Sequence, residues 1–245
     1  MAIKPRPFEV EEGIFWYLVG IVATDGCLSK DGRHIDITSA DRDYFVQIRD
    51  AIKSRARATI KRGRLGNIAY HVQLGSRVLY MKLLDIGLTP KKSLTLRPLR
   101  VPDQWFSDFL RGVIDGDGNI RRWIHPTNGR EQWVLRIYGS SRPFLHWLQG
   151  TAQRLWYVAG SLHVELRTNL NHHPLYTLKY GKLVAKTVLA RCYQPGVLAL
   201  ERKKALALKC ISTTVGWSKS KTVGNLEEWR KWEYVHTYPR TIVSS

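Results

Sequence analysis

The chain is short of cysteine and of long apolar runs. Its three cysteines, Cys27, Cys192 and Cys210, are odd in number and widely spaced. This predicts neither a disulfide framework nor a cysteine zinc site, and favours a reducing compartment such as a bacterial or phage-infected cytoplasm or an organelle matrix. No apolar run approaches the roughly 20 residues that span a bilayer, and the opening MAIKPRPFEVEEG resembles neither a signal nor a transit peptide. We therefore expect no membrane partner.

Several sequence motifs of common enzyme classes are also missing. There is no GxxxxGK[ST] loop for nucleotide phosphates, no HExxH zinc motif and no GxSxG nucleophile motif. The stretch from Asp115 to Asn119 resembles the start of a calcium-binding loop. Its sixth position, however, is Ile120 and its twelfth is Pro126, so the ligand spacing of that loop is broken.

Acidic residues are scarce relative to basic ones. The 39 Lys and Arg residues outnumber the 20 Asp and Glu residues, which leaves a formal charge of +19. A polyanion is the expected partner, and nucleic acid is favoured over a membrane because the charge is not confined to one amphipathic helix. The remaining alternative is a basic surface that is simply solvated.

An internal repeat organises the chain. FWYLVGIVATDGCL (15–28) matches DFLRGVIDGDGNI (108–120), and the motif aspartates lie 92 positions apart. IDITSADRDYF (35–45) matches LRIYGSSRPFL (135–145) at an offset of 100. The growth by eight residues predicts one insertion, which the turn-rich segment 125–132 supplies as a longer hairpin loop.

The repeat continues beyond the first hairpin. YHVQLGSRVLYMKLL (70–84) matches YTLKYGKLVAKTVLA (176–190) with Tyr, Gly and Val in step. LTPKKS (88–93) then matches ALERKK (199–204), and this match pairs Lys92 with Lys203. Each copy therefore places a lysine after the third predicted helix.

The hydrophobic periodicity of each copy predicts an αββαββα order. We expect an α+β protein with two pseudo-twofold-related repeats, saddle-shaped antiparallel sheets packed under helices, and the motif helices at the repeat interface. The predicted helices are 11–24, 41–54, 76–86, 103–116, 141–158 and 181–191. The predicted strands are 27–30, 33–39, 57–63, 68–74, 119–124, 132–138, 160–167 and 174–180. The corresponding domains are a first repeat (1–88), a connection (89–102), a second repeat (103–210) and a basic, aromatic extension (211–245).

The repeated Asp-Gly motif is the candidate site. A single Asp-Gly is weak evidence, because glycine in the left-handed conformation commonly ends a helix. Two copies that close apolar helices need another explanation. If the two helices pack closely, their ends bring Asp25 and Asp117 together. Small residues that would allow this packing recur on the motif helices at Gly20, Ala23, Gly112 and Gly116.

The two motifs, LVGIVATDG (18–26) and LRGVIDGDG (110–118), resemble those of the LAGLIDADG homing endonucleases of the single-chain, two-repeat type. The resemblance covers roughly residues 10–210. In that family the penultimate acidic residue of each motif binds a divalent metal, which implies Asp25 and Asp117 here, with the adjacent backbone of Thr24 and Gly116. The earlier acidic position is variable in the family; it is Asp115 in the second copy and Ala23 in the first, and we assign it no catalytic role.

The resemblance implies a monomeric, site-specific endonuclease that breaks both strands of a long, loosely palindromic DNA target and promotes mobility of its own intron or gene. The implied cofactor is Mg²⁺ or Mn²⁺, with Ca²⁺ binding without supporting cleavage. Metal held by Asp25 and Asp117 would activate water and neutralise phosphate charge. Lys92 and Lys203 are the candidates to stabilise the developing charge, with Lys91 and Arg202 as close rivals. Simple phosphate contact by the two lysines is the alternative.

The predicted strands assign a DNA-binding face by their alternation. Inward positions include Ile35, Ile37, Ala58, Ile60, Tyr70, Val72, Leu74, Leu135, Ile137, Leu162, Val164, Leu166, Tyr176 and Leu178. The opposite, exposed face mixes donors and acceptors that suit base edges in a major groove. Its members are Asp36, Thr38, Arg57, Thr59, Lys61, His71, Gln73, Arg136, Tyr138, His163, Glu165, Arg167, Thr177 and Lys179. A solvated sheet face is the alternative.

Two other functions fit the same residues. One is an RNA maturase that binds its own intron RNA, and the other is a DNA-binding regulator that does not cut. The presence of both acids and both lysines favours the nuclease over either alternative. The tail remains open: 211–225 is predicted to be a linker and 226–236 a short aromatic helix that stacks on bases or anchors to the core.

Overall fold

The computed structural model describes residues 10–62, 68–165 and 173–213. The first repeat has the predicted order of helices and hairpins. Its helices are α1 (Glu12–Thr24), α2 (Arg42–Ala51) and α3 (Arg77–Ile86). Its strands are β1 (Gly26–Leu28), β2 (His34–Ser39), β3 (Ala58–Arg62) and β4 (Ile68–Gly75). No helix in the described ranges is long and apolar enough to cross a membrane.

The second repeat follows the same order and adds a helix that the sequence interpretation missed. Its helices are α4 (Phe106–Asp117), α5 (Arg142–Trp156), α6 (Lys182–Cys192) and the added α7 (Glu201–Ser212). Its strands are β5 (Gly118–Ile124), β6 (Glu131–Gly139), β7 (Ser161–Glu165) and β8 (Leu175–Gly181). α7 lacks the usual start signal, because its N-cap Leu200 has no side chain that can accept a backbone N–H.

Each repeat forms one four-stranded antiparallel sheet, ordered β1-β2-β4-β3 in the first and β5-β6-β8-β7 in the second. Cys27 pairs with Asp36 in the first sheet and Asn119 with Arg136 in the second. The two offsets, 92 and 100, are those of the sequence repeat. The eight extra residues therefore lie in the longer β5–β6 hairpin, as predicted.

Local sequence explains where several helices begin and end. The side chains of Asp41 and Ser76 accept the backbone N–H of the residue three positions later and start α2 and α3. Ser141 does the same for α5. Gly87 ends α3 with a φ of 113°, a left-handed conformation that favours glycine.

Burial follows the predicted alternation in the central strands and departs from it at the edges. Seven predicted core positions are fully buried: Ile35, Ile37, Val72, Leu74, Leu135, Ile137 and Leu178. Ala58, Ile60 and Val164 lie on the predicted inward face by register but are exposed, so the expectation that they are buried is wrong. β3 and β7 are edge strands, and every residue of β3 is exposed, so alternation alone does not bring burial there.

Candidate active site and DNA-binding face

The motif helices α1 and α4 pack backbone against backbone. A Cβ added to Gly20 would lie 2.2 Å from the carbonyl oxygen of Phe109, and one added to Gly112 would lie 2.2 Å from that of Tyr17. These distances leave no room for any side chain. The predicted packing of the motif helices at the repeat interface is therefore confirmed.

The same contact brings the two motif acids together. A Cβ on Gly116 would lie 2.0 Å from Oγ1 of Thr24 and 3.4 Å from Oδ2 of Asp25. The carboxylate of Asp25 therefore reaches across the interface to the residue that precedes Asp117. A cleft of about 230 Å³, lined by Thr24, Asp117 and Tyr138 among others, opens beside this junction.

The glycines of the Asp-Gly pairs are needed for close approach. Gly118 has a φ of −84°, and Gly26 is not among the described residues with positive φ, so neither is the left-handed cap that a single Asp-Gly would indicate. A Cβ on Gly26 would lie 2.6 Å from Cα of Val22, and one on Gly118 would lie 2.5 Å from the carbonyl oxygen of Ile114. The chain folds back over the last turn of each motif helix, and this fold-back fixes the direction of each acid.

The surroundings of Asp25 and Asp117 disfavour the ionised form of both carboxyl groups. Burial, followed by the charge of Asp25, raises the pKa of Asp117 to about 6, against the opposing charges of Lys203 and Lys92. The pKa of Asp25 is also raised by partial burial, although its residue remains open to solvent. Lys203, Lys92 and Arg202 oppose that rise. A bound cation would relieve the repulsion between the two carboxylates.

Each predicted lysine donates to backbone carbonyls of its own repeat, within the last turn of α4 for Lys203 and just beyond the end of α1 for Lys92. Lys92 donates to the carbonyl oxygen of Gly26. Lys203 donates to the carbonyl oxygens of Ile114, Asp115 and Gly116 at 2.8, 2.6 and 3.0 Å. Helix C-termini carry unpaired carbonyls and partial negative charge, which an ammonium group satisfies.

Both lysines are only 5% exposed, and burial lowers the pKa of each, to about 8 for Lys203. Lys203 therefore remains mostly protonated at neutral pH. An ammonium has three hydrogens, and the three carbonyls occupy all of them. This geometry favours electrostatic stabilisation by Lys203 over proton abstraction, and the catalytic roles of both lysines stay predictions.

The acids suit a hard cation. Carboxylate and carbonyl oxygens are the ligands that Mg²⁺ prefers, and it keeps several waters when proteins bind it. Within the described part of the chain, no group of three or more His, Cys, Asp or Glu side chains is arranged to hold a metal. Asp25 and Asp117 would thus act with water, substrate phosphate and the backbone of Thr24. The other predicted backbone ligand, the carbonyl of Gly116, already accepts from Lys203.

The Asp115 carboxylate is buried and takes part in hydrogen bonds that hold the fold together. It is 2% exposed and accepts hydrogen bonds from the hydroxyls of Tyr17 and Tyr193, both at 2.7 Å, and from the backbone N–H of Leu200 at 2.8 Å. These bonds tie α4 to α1 and to the start of α7, which carries Lys203. No such network is possible at Ala23, the matching position in the first motif.

The predicted DNA-binding face is largely accessible. Thr177 is the exception, because it is 6% exposed and its hydroxyl has no partner among the described residues. It lies on the predicted face, directly across from Tyr138 and His163, but it is buried there. Arg167 lies outside the described residues. The other twelve positions are exposed or partly exposed: Asp36, Thr38, Arg57, Thr59, Lys61, His71, Gln73, Arg136, Tyr138, His163, Glu165 and Lys179.

The first strand of each sheet adds residues that the sequence interpretation missed. Register places Cys27 beside Asp36 and Asn119 beside Arg136 on the exposed face, and Arg121 and Trp123 continue that face along β5. The sequence did contain a signal for the residues of β5, because they alternate with Ile120, which is buried. Cys27 and Asn119 each lie two residues after a motif acid.

Asp117→Asn should stabilise the metal-free protein at neutral pH. Folding raises the pKa of Asp117 from 3.8 to about 6, so its contribution to stability is present below pH 4 and lost as pH rises through 6. We expect the substitution to raise the free energy of unfolding by about 1–2 kcal/mol at pH 7 and by much less at pH 4. Urea unfolding of both proteins in the presence of a chelator, at pH 4 and at pH 7, measures this change in the free energy of unfolding. Equal stabilisation at both pH values would contradict the raised pKa.

The fold has known counterparts. No protein-family model and no curated protein matches this chain. Among solved structures, full-length DUF199/WhiA from Thermatoga maritima is 14% identical with a TM-score of 0.51, covering 95% of this chain and 69% of that one. The N-terminal LAGLIDADG domain of DUF199/WhiA is 16% identical with a TM-score of 0.50, over 82% and 89%. The homing endonuclease I-WcaI, bound to its DNA recognition sequence, is 11% identical with a TM-score of 0.55, over 81% and 88%. The chain therefore has the two-repeat LAGLIDADG fold.

Proposed function

We propose that this protein is a monomeric, site-specific DNA endonuclease that uses a divalent metal ion to break both strands of one long target. The observation that carries the proposal is the meeting of Asp25 and Asp117 at the contact of the two motif helices, beside two polar sheet faces. Mobility of its own intron or gene, and action inside a reducing compartment, belong to the same proposal.

The acids and the lysines of the site have different roles in the proposed reaction. Mg²⁺ or Mn²⁺ bound there would supply an activated water and charge neutralisation at the phosphate. Asp25 and Asp117 provide the negative charge that attracts the ion. Lys203 holds the end of α4, Lys92 holds the first residue of β1, and both contribute positive potential toward the scissile phosphates. Because each repeat supplies one acid and one lysine, one chain can serve both DNA strands.

The exposed face supports recognition of a long, only loosely palindromic target. Antiparallel ribbons can enter the major groove and present side chains to base edges. The matched positions of the two sheets carry different residue types, such as Asp36 against Arg136 and Gln73 against Lys179. The two half-sites should therefore differ in sequence.

DNA affinity should fall steeply with salt. A protein that neutralises 6–10 phosphates loses about 10³–10⁵-fold in affinity between 50 and 200 mM salt, because counterions are released on binding. With a net charge of +19 we expect a loss in this range. Fluorescence anisotropy with a labelled duplex measures it, and Lys61→Gln on the exposed face should reduce the slope by about one ion. A flat salt dependence would exclude DNA as the charged partner.

A second candidate function is DNA binding without cleavage, or binding of intron RNA. The observation that favours it is the complete occupation of the Lys203 ammonium by backbone carbonyls. The fold itself does not decide, because it is shared by WhiA and by a homing endonuclease.

The proposal is tested first by selecting bound sequences. The full chain is mixed in Ca²⁺ with duplexes that carry a randomised central segment, and the bound duplexes are sequenced. One long consensus is the expected result. The selected duplex is then incubated with Mg²⁺, and an RNA of the same sequence competes in parallel. Tighter binding of the RNA, or binding without any cut in Mg²⁺ or Mn²⁺, would favour the second candidate.

A further inference from the structure

The two sheets differ sharply in the row of exposed residues that begins two positions after each acid, at Cys27 and Asn119. Register places three residues of each sheet side by side in this row. In the second sheet the row carries two cations, whereas in the first it carries a carboxylate and an amide. The rows are Cys27, Asp36 and Gln73 in the first sheet and Asn119, Arg136 and Lys179 in the second.

Asp36 is held by three donors. Its Oδ1 accepts from Nε2 of His71 at 2.8 Å and from Nε2 of Gln73 at 3.0 Å, and its Oδ2 accepts from Oγ of Ser29 at 2.7 Å. Partial burial acts to raise the pKa of Asp36, but the hydrogen bonds from Ser29, Gln73 and His71 lower it overall. The group is therefore an ionised carboxylate that only accepts hydrogen bonds.

This carboxylate fixes the orientation of the Gln73 amide. Only the NH₂ group of an amide can donate to a carboxylate, and the reverse orientation would place two acceptors against each other. Gln73 is exposed, and its Oε1 has no hydrogen-bond partner within the described ranges. The Gln73 amide thus presents one acceptor and one remaining N–H to the major groove of bound DNA. That pair matches the N6 donor and N7 acceptor of adenine.

In the matching row of the second sheet, the two charged side chains offer only hydrogen-bond donors. Arg136 and Lys179 lie directly across from each other. Neither forms an ion pair with an acidic side chain in the described parts of the chain. Guanidinium and ammonium groups pair with the two acceptors O6 and N7 of guanine.

We propose that Asp36 is a specificity-positioning residue, which locks Gln73 to read an adenine in one half-site where the other half-site carries a guanine read by Lys179, the residue that matches Gln73 in the second sheet. This inference rests on the proposed function, because it requires binding of duplex DNA. It names a base preference at one pair of positions equally distant from the centre of the target.

The test compares sequences selected from the randomised pool in Ca²⁺ by the full-length protein and its variants. Wild type should select adenine at one position and guanine at the symmetry-related position. Asp36→Asn lets the Gln73 amide pair in either orientation, so its preference for adenine should fall about tenfold, within the discrimination of one bidentate contact. Total affinity for the best duplex should change far less. Lys179→Gln is the matched control, since it should alter only the guanine of the other half-site.

Gln73→Ala provides a second variant that leaves Asp36 bound to His71 and Ser29. It should lose the adenine preference at the same position, and thermal unfolding checks that each variant is folded. An unchanged preference at this position in folded Gln73→Ala, or in folded Asp36→Asn, would overturn the inference while leaving the endonuclease proposal intact. Failure of wild type to select any sequence would instead overturn the proposed function, and the inference with it.

Discussion

Asp25→Asn and Asp117→Asn should each slow Mg²⁺-dependent cleavage of the selected duplex by about 10²–10³-fold or more. An amide has the shape of the carboxylate but lacks the charge that holds a divalent ion and its activated water. Binding of the duplex should be retained or become tighter, because a negative charge near the phosphates is removed. Single-turnover cleavage on a denaturing gel, with each strand labelled separately, measures the effect on both strands.

Asp85→Asn is the matched control for this loss of charge. The Asp85 side chain is 83% exposed and its nearest cation, Arg100, lies 3.5 Å away. Its removal should leave both the cleavage rate and the affinity unchanged within about twofold, as expected of an exposed ion pair. Wild-type cleavage rates in both motif variants would show that the two acids do not hold the metal.

Gly20→Val should prevent the two repeats from packing. The new side chain would meet the backbone of α4 at Phe109, Gly112 and Val113, where no flexible side chain can move away. We expect a loss of more than about 3 kcal/mol of unfolding free energy, or no folded protein at all. Equilibrium urea unfolding followed by circular dichroism measures this change.

Gly150→Ala is the control for replacing a helical glycine. A Cβ on Gly150 in α5 meets nothing within 4 Å. Alanine has the higher helix propensity, so this variant should be more stable by about 0.5–1 kcal/mol. A Gly20→Val protein as stable as wild type would contradict the backbone contact between α1 and α4.

The fold could be predicted from the sequence because its strongest signals are local and repeated. The growing offset between the copies located the long hairpin, and alternation located the central strands. Burial at the sheet edges could not be predicted in this way, because Ile60 and Val164 have the right parity but lie on edge strands. Helix α7 was missed because no helix follows α3 at the matching place in the first repeat, so the repeat gave no signal for it.

The candidate site could be predicted only in part, for a related reason. Repetition paired Asp25 with Asp117, and Lys92 with Lys203, without any knowledge of their contacts. The bonds of Lys203 to the end of α4 join residues 87 to 89 positions apart. Those of Asp115 to Tyr17 and Tyr193 are similarly remote. No local pattern encodes such contacts, so the sequence could not separate a helix-capping lysine from a phosphate-binding one.

The proposed function requires that Asp25 and Asp117 form one metal-dependent centre that cuts both strands at one site. The most direct measurement places the selected duplex in a long DNA, incubates it with the full chain and Mg²⁺, and sequences every new end. The proposed function predicts one cut in each strand, both within the selected sequence. It also predicts none in chelator and none with the Asp25→Asn/Asp117→Asn double variant. Intact strands on fully bound DNA, or ends scattered along its length, would contradict it.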